Sequence, residues 1–180
     1  DLSKIVDGVD FIYHLAAQPG ISGKVKFDSY ERNNVIATYR LIEAAQDLPT
    51  LKWIINISTS SVYGAYAVGD EETLPAPISY YGVTKLAAEQ LVLAYSRDKG
   101  MPSCSARLFS VYGERERPEK LYPKLIKSIL ENKEFALYEG SENHKRSYTY
   151  VGDIIDGLIK IIDCYKSCVG QIINLGTETS

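Results

Sequence analysis

Short apolar runs alternate with longer amphipathic ones through the first 113 residues, and few folds accommodate that alternation. VDFIYHLAA from Val9, LKWIINIS from Leu51 and PSCSARLF from Pro102 each read as a buried strand. Between them, YERNNVIATYRLIEAAQDL from Tyr30 and SYYGVTKLAAEQLVLAYSRDKG from Ser79 read as helices, the second closed by Gly100. Strands alternating with helices at this length predict a parallel sheet with helices on both faces. Beyond Gly113 the rhythm loosens. PEKLYPKLIKSILENKE is expected to be helical, FALYEG and RSYTYV to be short strands, GDIIDGLIKIIDCYK a helix and GQIINLG a further strand, with this part contributing a smaller, substrate-side lobe.

Composition narrows the kind of site such a fold can carry. With 180 residues, 45% of them hydrophobic and 24% charged, the chain can bury a proper core. The formal charge of −3 and the scatter of lysines and arginines offer no basic field for nucleic acid. No apolar run approaches the ~20 residues that cross a bilayer, and no leader pattern opens the chain, so a cytoplasmic protein without membrane partners is expected. Cys104, Cys164 and Cys168 fit reduced, buried thiols better than a disulfide scaffold; the last two share a helix face by spacing and read as packing residues. With only His14 and His144 besides, no metal site is expected.

In open parallel sheets, ligands bind at the carboxyl ends of the strands. Here those ends read HLAAQPG, STSSVYG and RLFSVYG, rich in small and hydroxylated residues. Ser58, Thr59, Ser60 and Ser61 are brought by such a fold to the edge where Tyr81 stands, at the start of the second helix. Lys85 follows Tyr81 at i+4, on the same helix face. A cation there stabilises a phenolate and moves the tyrosine toward use as a general base.

The motifs YHLAAQPG, ISTSSVYG, YYGVTK, RLFSVYG and RSYTYVGD, in this order, resemble those of the extended short-chain dehydrogenase/reductases, specifically the NAD-dependent nucleotide-sugar epimerases and dehydratases. The resemblance runs over nearly the whole chain and implies a Rossmann-like doubly wound parallel sheet. It implies NAD as cofactor, with Tyr81 as catalytic base, Lys85 lowering its pKa and holding the nicotinamide ribose, and Thr59 hydrogen-bonding the reacting sugar oxygen. Cofactor contacts are then expected from Leu15, Ala16, Ala17, Asn34, Ser58 and Leu108 as well, and substrate contacts from Gly20, Ser60, Ser110, Arg117 and Arg146.

The family's glycine-rich phosphate cradle has no counterpart here. The chain therefore reads as an internal part of a longer enzyme: residues 1–113 as the C-terminal part of the NAD-binding domain, and 114–180 as a mixed substrate-side segment including final Rossmann elements. Family dehydratases carry an Asp-Glu pair after the catalytic threonine, where this chain has Ser60 and Ser61. That disfavours elimination and leaves 4-epimerisation through a transient 4-keto sugar. Arg117 in RERP matches a carboxylate-binding arginine, which makes UDP-glucuronate 4-epimerases the most similar group. Ser22 stands where those enzymes usually carry an arginine, with Lys24 and Lys26 as nearby cations. A 4-epimerase of UDP-glucose or UDP-N-acetylglucosamine, another nucleotide-sugar dehydratase or reductase, and an inactive structural fragment stay open. The resemblance also implies a homodimer, with LAAEQLVLAYS as its candidate face.

Overall fold

The computed structural model describes residues 1–20, 25–65, 69–137, 139–141 and 147–177. A short helix α1 (Leu2–Val6) leads into strand β1 (Phe11–His14), and helices α2 (Phe27–Tyr30) and α3 (Ala37–Ala45) follow, joined without a break by a π-helical turn over Glu31–Ile36. Next come strand β2 (Trp53–Thr59), a 3-10 turn (Ser60–Tyr63) and the long helix α4 (Tyr80–Lys99). Ser79 starts α4 by accepting the Gly82 N–H at 3.1 Å, and Gly100 ends it in the left-handed conformation (φ 68°) open to a residue without Cβ. Strands β3 (Ser103–Leu108) and β4 (Ser110–Tyr112), helix α5 (Leu121–Leu130), strand β5 (Tyr148–Tyr150), helix α6 (Val151–Asp163) and strand β6 (Ile172–Leu175) complete the described elements.

Four strands form one parallel sheet in the order β1-β2-β3-β6, and β4 and β5 form a separate parallel pair. Side chains alternate across the sheet, which explains why both faces are covered. Trp53, Ile55 and Ile57 of β2 and Cys104 and Ala106 of β3 pack on Ile154, Leu158 and Ile161 of α6, whose apolar residues recur at helical spacing. Ile54, on the opposite face, joins Ile42 and Ala45 of α3 and Val92 of α4. That second face is more polar toward the carboxyl ends: Asn56 donates to Ser105 at 2.8 Å, and Arg107 is buried there. Covering both faces makes β2 a buried strand from end to end, as its unbroken apolar start requires.

Two expectations differ from the structure. FALYEG forms no strand among its described residues; the partner of β5 is Ser110–Tyr112 instead. Helix α6 stops at Asp163, so Cys164 and Cys168 do not share a helix face: Cys164 caps the helix and is exposed, while Cys168 is buried at the end of a 3-10 turn. Their sulfurs lie 3.8 Å apart, and burial pushes the Cys168 thiol up to about 11 and that of Cys104 to about 12, which keeps both protonated. The stretch Leu86–Ser96 buries Ala88, Val92, Leu93 and Ser96 in this chain's own interior.

Candidate active site

Thr59 is the last residue of β2, level with Leu108 at the end of β3. Its hydroxyl oxygen accepts the Ser61 N–H at 3.2 Å and so opens the 3-10 turn, while its hydroxyl proton points toward Ser61 Oγ at 3.3 Å. Tyr81 comes from the first turn of α4 and is half-buried. What lets these two residues meet is Gly82: a Cβ there would sit 2.7 Å from the Ser61 carbonyl oxygen and 3.0 Å from Pro77 Cβ. The helix therefore touches the turn backbone to backbone. Tyr81 also lines a cleft of about 410 Å³ between Tyr30 and the start of α4.

Burial raises the Tyr81 phenol above its ordinary pKa, and two neighbours work against that rise: a hydrogen bond with Thr59 and the positive charge of Arg117. Arg117 is itself exposed and 3.4 Å from Glu119. Lys85, one turn along α4, is only 2% exposed. Burial lowers its ammonium to about 8, against the opposing pull of Glu89. Its charge is felt by His14 at the end of β1, which burial and then Lys85 lower to about 4.

Asn34 sits in the π-helical turn, a feature frequent at functional positions. Its amide braces the loop after β1, accepting the Gln18 N–H at 2.7 Å and donating to the Gln18 carbonyl at 3.3 Å, and it donates to Thr84 of α4 at 3.0 Å. The buried Thr38 hydroxyl links His14 at 2.7 Å to the Asn34 carbonyl at 2.6 Å. A polar chain thus runs from β1 through the π turn to the helix of Tyr81 and Lys85. Leu15 and Ala16 are exposed just past β1, and Ala16 rims a cleft of about 450 Å³ with His14, Arg32 and Arg40. Ser58 is 3% exposed and its hydroxyl has no partner among the described residues. A buried, orphaned hydroxyl near the end of β2, an exposed small-residue strand end and a buried lysine fit the ribose and nicotinamide end of a dinucleotide.

Of the other expected contacts, Ala17 is half-buried beside them, Gly20 accepts the Tyr30 hydroxyl at 2.8 Å, and Ser60 lies in the 3-10 turn. Ser110 begins β4 opposite Tyr148. Arg146, Ser22 and Lys24 lie outside the described residues, as does His144. The sequence reading passed over Gly82, Glu89 and Arg107 and considered His14 only as a metal ligand. Glu89 had a signal, its i+4 spacing from Lys85; the others show only in three dimensions.

The histidine has a consequence for stability. Its folded pKa lies below its unfolded value of 6.5, so the unfolded chain binds the extra proton first and stability falls as pH drops from 6.5 to about 4. The size is about 3 kcal/mol at full effect. Denaturation midpoints of wild type and His14→Gln should therefore converge as pH falls from 7 to 4, and a gap that stays constant counts against a buried neutral His14.

A model of the NAD dependent epimerase/dehydratase family matches residues 1–176. An uncharacterized UDP-glucose epimerase of Bacillus subtilis is 36% identical over 179 residues, covering 98% of this chain and 56% of the relative. UDP-glucuronate 4-epimerase 6 of Arabidopsis thaliana is 33% identical, over 94% of this chain and 39% of its own length. Among solved structures, the UDP-glucuronic acid 4-epimerase of Bacillus cereus in complex with NAD superposes with a TM-score of 0.90 at 40% identity, over 99% of this chain and 57% of that one. The chain thus spans between 39% and 57% of the length of these relatives, and their Rossmann-like α/β fold is the fold seen here.

Proposed function

Because the chain belongs to the NAD dependent epimerase/dehydratase family, we propose that the whole protein interconverts a UDP-hexose at C4, with UDP-glucuronate and UDP-galacturonate the leading pair. The observation that carries this reading is the meeting of Tyr81 with Thr59 at the end of β2 while Lys85 is buried one turn behind. Bound NAD supplies the acceptor and later the donor of the hydride at C4. The chain's residues supply the rest. Thr59 holds the C4 oxygen, Tyr81 takes its proton and returns it after the 4-keto sugar has turned, and Lys85 holds the cofactor ribose and supports the phenolate.

Hydroxyls at Ser60 and Ser61 give the site no carboxylate pair for eliminating water, which favours epimerisation over dehydration. Arg117 favours a uronate: its positive charge acts on Tyr81, and a guanidinium on that side of the site offers a C6 carboxylate a charge-assisted fork. Arg117→Ala should raise the KM for UDP-glucuronate by about 30-fold or more, in line with losing a charged hydrogen bond, and the KM for UDP-glucose far less. Equal losses on both would shift the assignment to a neutral-sugar 4-epimerase, and a 4-keto-6-deoxy product would overturn epimerisation. In this reading residues 1–113 complete the cofactor domain, 114–180 mix substrate-side and sheet elements, and the whole protein is a homodimer. Ile36, Tyr39 and Val83, exposed on the π turn, α3 and α4, are among the apolar residues available for that contact. No helix among the described residues is long and apolar enough to cross a membrane.

A further inference from the structure

One helical turn beyond Lys85 lies an ion pair that the catalytic scheme above does not use. Glu89 is 0% and Arg107 1% exposed, and the guanidinium takes both carboxylate oxygens, Nε to Oε2 at 3.0 Å and Nη2 to Oε1 at 2.6 Å. Burying two charges costs more desolvation than their attraction commonly returns, and apolar residues of the same volume often do better. Stability alone is a weak reason for the pair. Its surroundings suggest another. The guanidinium stacks over the Tyr63 ring at 4.7 Å, Tyr63 closes the 3-10 turn that Thr59 opens, and its hydroxyl donates to Asn174 of β6 at 2.8 Å.

Lys85 and Glu89 stand at the i, i+4 spacing where lysine and glutamate meet on a helix, both are buried, and yet they make no ion pair. The carboxylate is already filled by the planar fork of Arg107, a geometry an ammonium cannot match. We propose that Arg107 is a positioning residue that keeps Glu89 occupied, so that the Lys85 ammonium stays directed to the Tyr81 end of the site instead of folding back onto the carboxylate. The inference rests on the roles given above to Tyr81 and Lys85.

The titratable groups that interact with the Lys85 charge are Glu89 along its own helix and His14 from β1; Arg107 from β3 holds Glu89, and Tyr81, one turn before Lys85 on the same helix, feels Arg117. Glu89 is the only carboxylate in this set. Once Arg107 is removed, it is free to draw the ammonium away. The phenol then loses a cation and holds its proton more tightly, so activity rises with pH later than in wild type.

The test is the pH profile of kcat/KM of the whole protein with NAD, on UDP-glucuronate or UDP-glucose, whichever it turns over. Wild type, R107M and R107M/E89Q are compared, with thermal melts to check folding. R107M should lose about tenfold or more in kcat with a smaller change in KM, and its ascending limb should move to higher pH. R107M/E89Q, lacking the competing carboxylate, should return the limb to its wild-type position and recover most of the rate. A merely structural pair predicts slower or less stable variants with the limb unmoved, and that result overturns the proposal. If R107M does not fold, R107K serves, since it keeps the charge but offers Glu89 no fork; an unmoved limb in folded R107K is equally fatal. K85M separates the two levels: turnover surviving in K85M removes the site reading itself, whereas an inactive K85M beside an unmoved limb in R107M removes only the role of Arg107.

Discussion

Replacing Tyr81 by Phe in the whole protein should lower kcat by about 10²- to 10⁴-fold, the range a positioned general base supplies, while the melting temperature stays close to wild type. The substitution deletes one oxygen from a half-buried ring and leaves the ring itself in place. Its hydroxyl lies beside Thr59, and the ring packing on which the fold depends is kept. The raised phenol sets the form of the wild-type pH profile. A group whose pKa is pushed up from its ordinary value of 10 is deprotonated only as pH rises, so activity should climb through the alkaline range, and the Phe variant should lack that climb. More than a few per cent residual activity in Y81F would end the assignment of Tyr81 as the base. So would a full climb in its profile.

Gly82→Ala should damage the site nearly as much by moving it. On helix propensity alone the change would stabilise α4 by about 1 kcal/mol. Against that stands a methyl placed 2.7 Å from the Ser61 carbonyl oxygen and 3.0 Å from Pro77. The first neighbour is backbone in a turn pinned by Thr59 and Ser61, with no rotamer to yield, and overpacking of this kind costs about 1–3 kcal/mol. The clash outweighs the propensity. The first turn of α4 has to back away from the end of β2, carrying Tyr81 from Thr59, and a displacement of about 1 Å at a reacting group is worth about 10²-fold in rate. Calorimetry and steady-state kinetics on G82A check both halves. A more stable protein with unchanged kcat would show that the helix and the turn do not touch as described.

The sheet was legible because its signals are local and repeated. Every strand of the first part begins in an apolar run and every helix there has its spacing, and Ser79 and Gly100 mark the ends of α4 in a way any reader of caps can find. Thr59, Tyr81 and Lys85, the residues proposed for catalysis, could be picked out for another reason: the parallel topology sends strand ends and helix starts to one rim. What escaped depends on distance across the fold. Arg107 reads in sequence as an odd charge in a strand, and only its register beside Ser58 and its reach to Glu89 give it meaning. Strand β4 was read as the tail of a motif because three residues carry too little pattern to announce a strand, and Cys164 was placed inside because the helix was read on to Lys166, past its end at Asp163.

The placement of α6 bears on how the chain reaches this structure. Strands β1, β2 and β3 are all synthesised before it, yet the face carrying Trp53, Ile55, Cys104 and Ala106 is covered only when Ile154, Leu158 and Ile161 arrive, and β3 acquires its second neighbour only with β6. A nascent chain halted between Leu108 and Val151 therefore displays a ready apolar sheet face and an open strand row, both adhesive toward other chains. Pairings so distant along the chain also close slowly. The interval of synthesis between β3 and α6 is when this protein most needs a chaperone's protection, and slowing translation there should lower its soluble yield more than slowing it anywhere earlier.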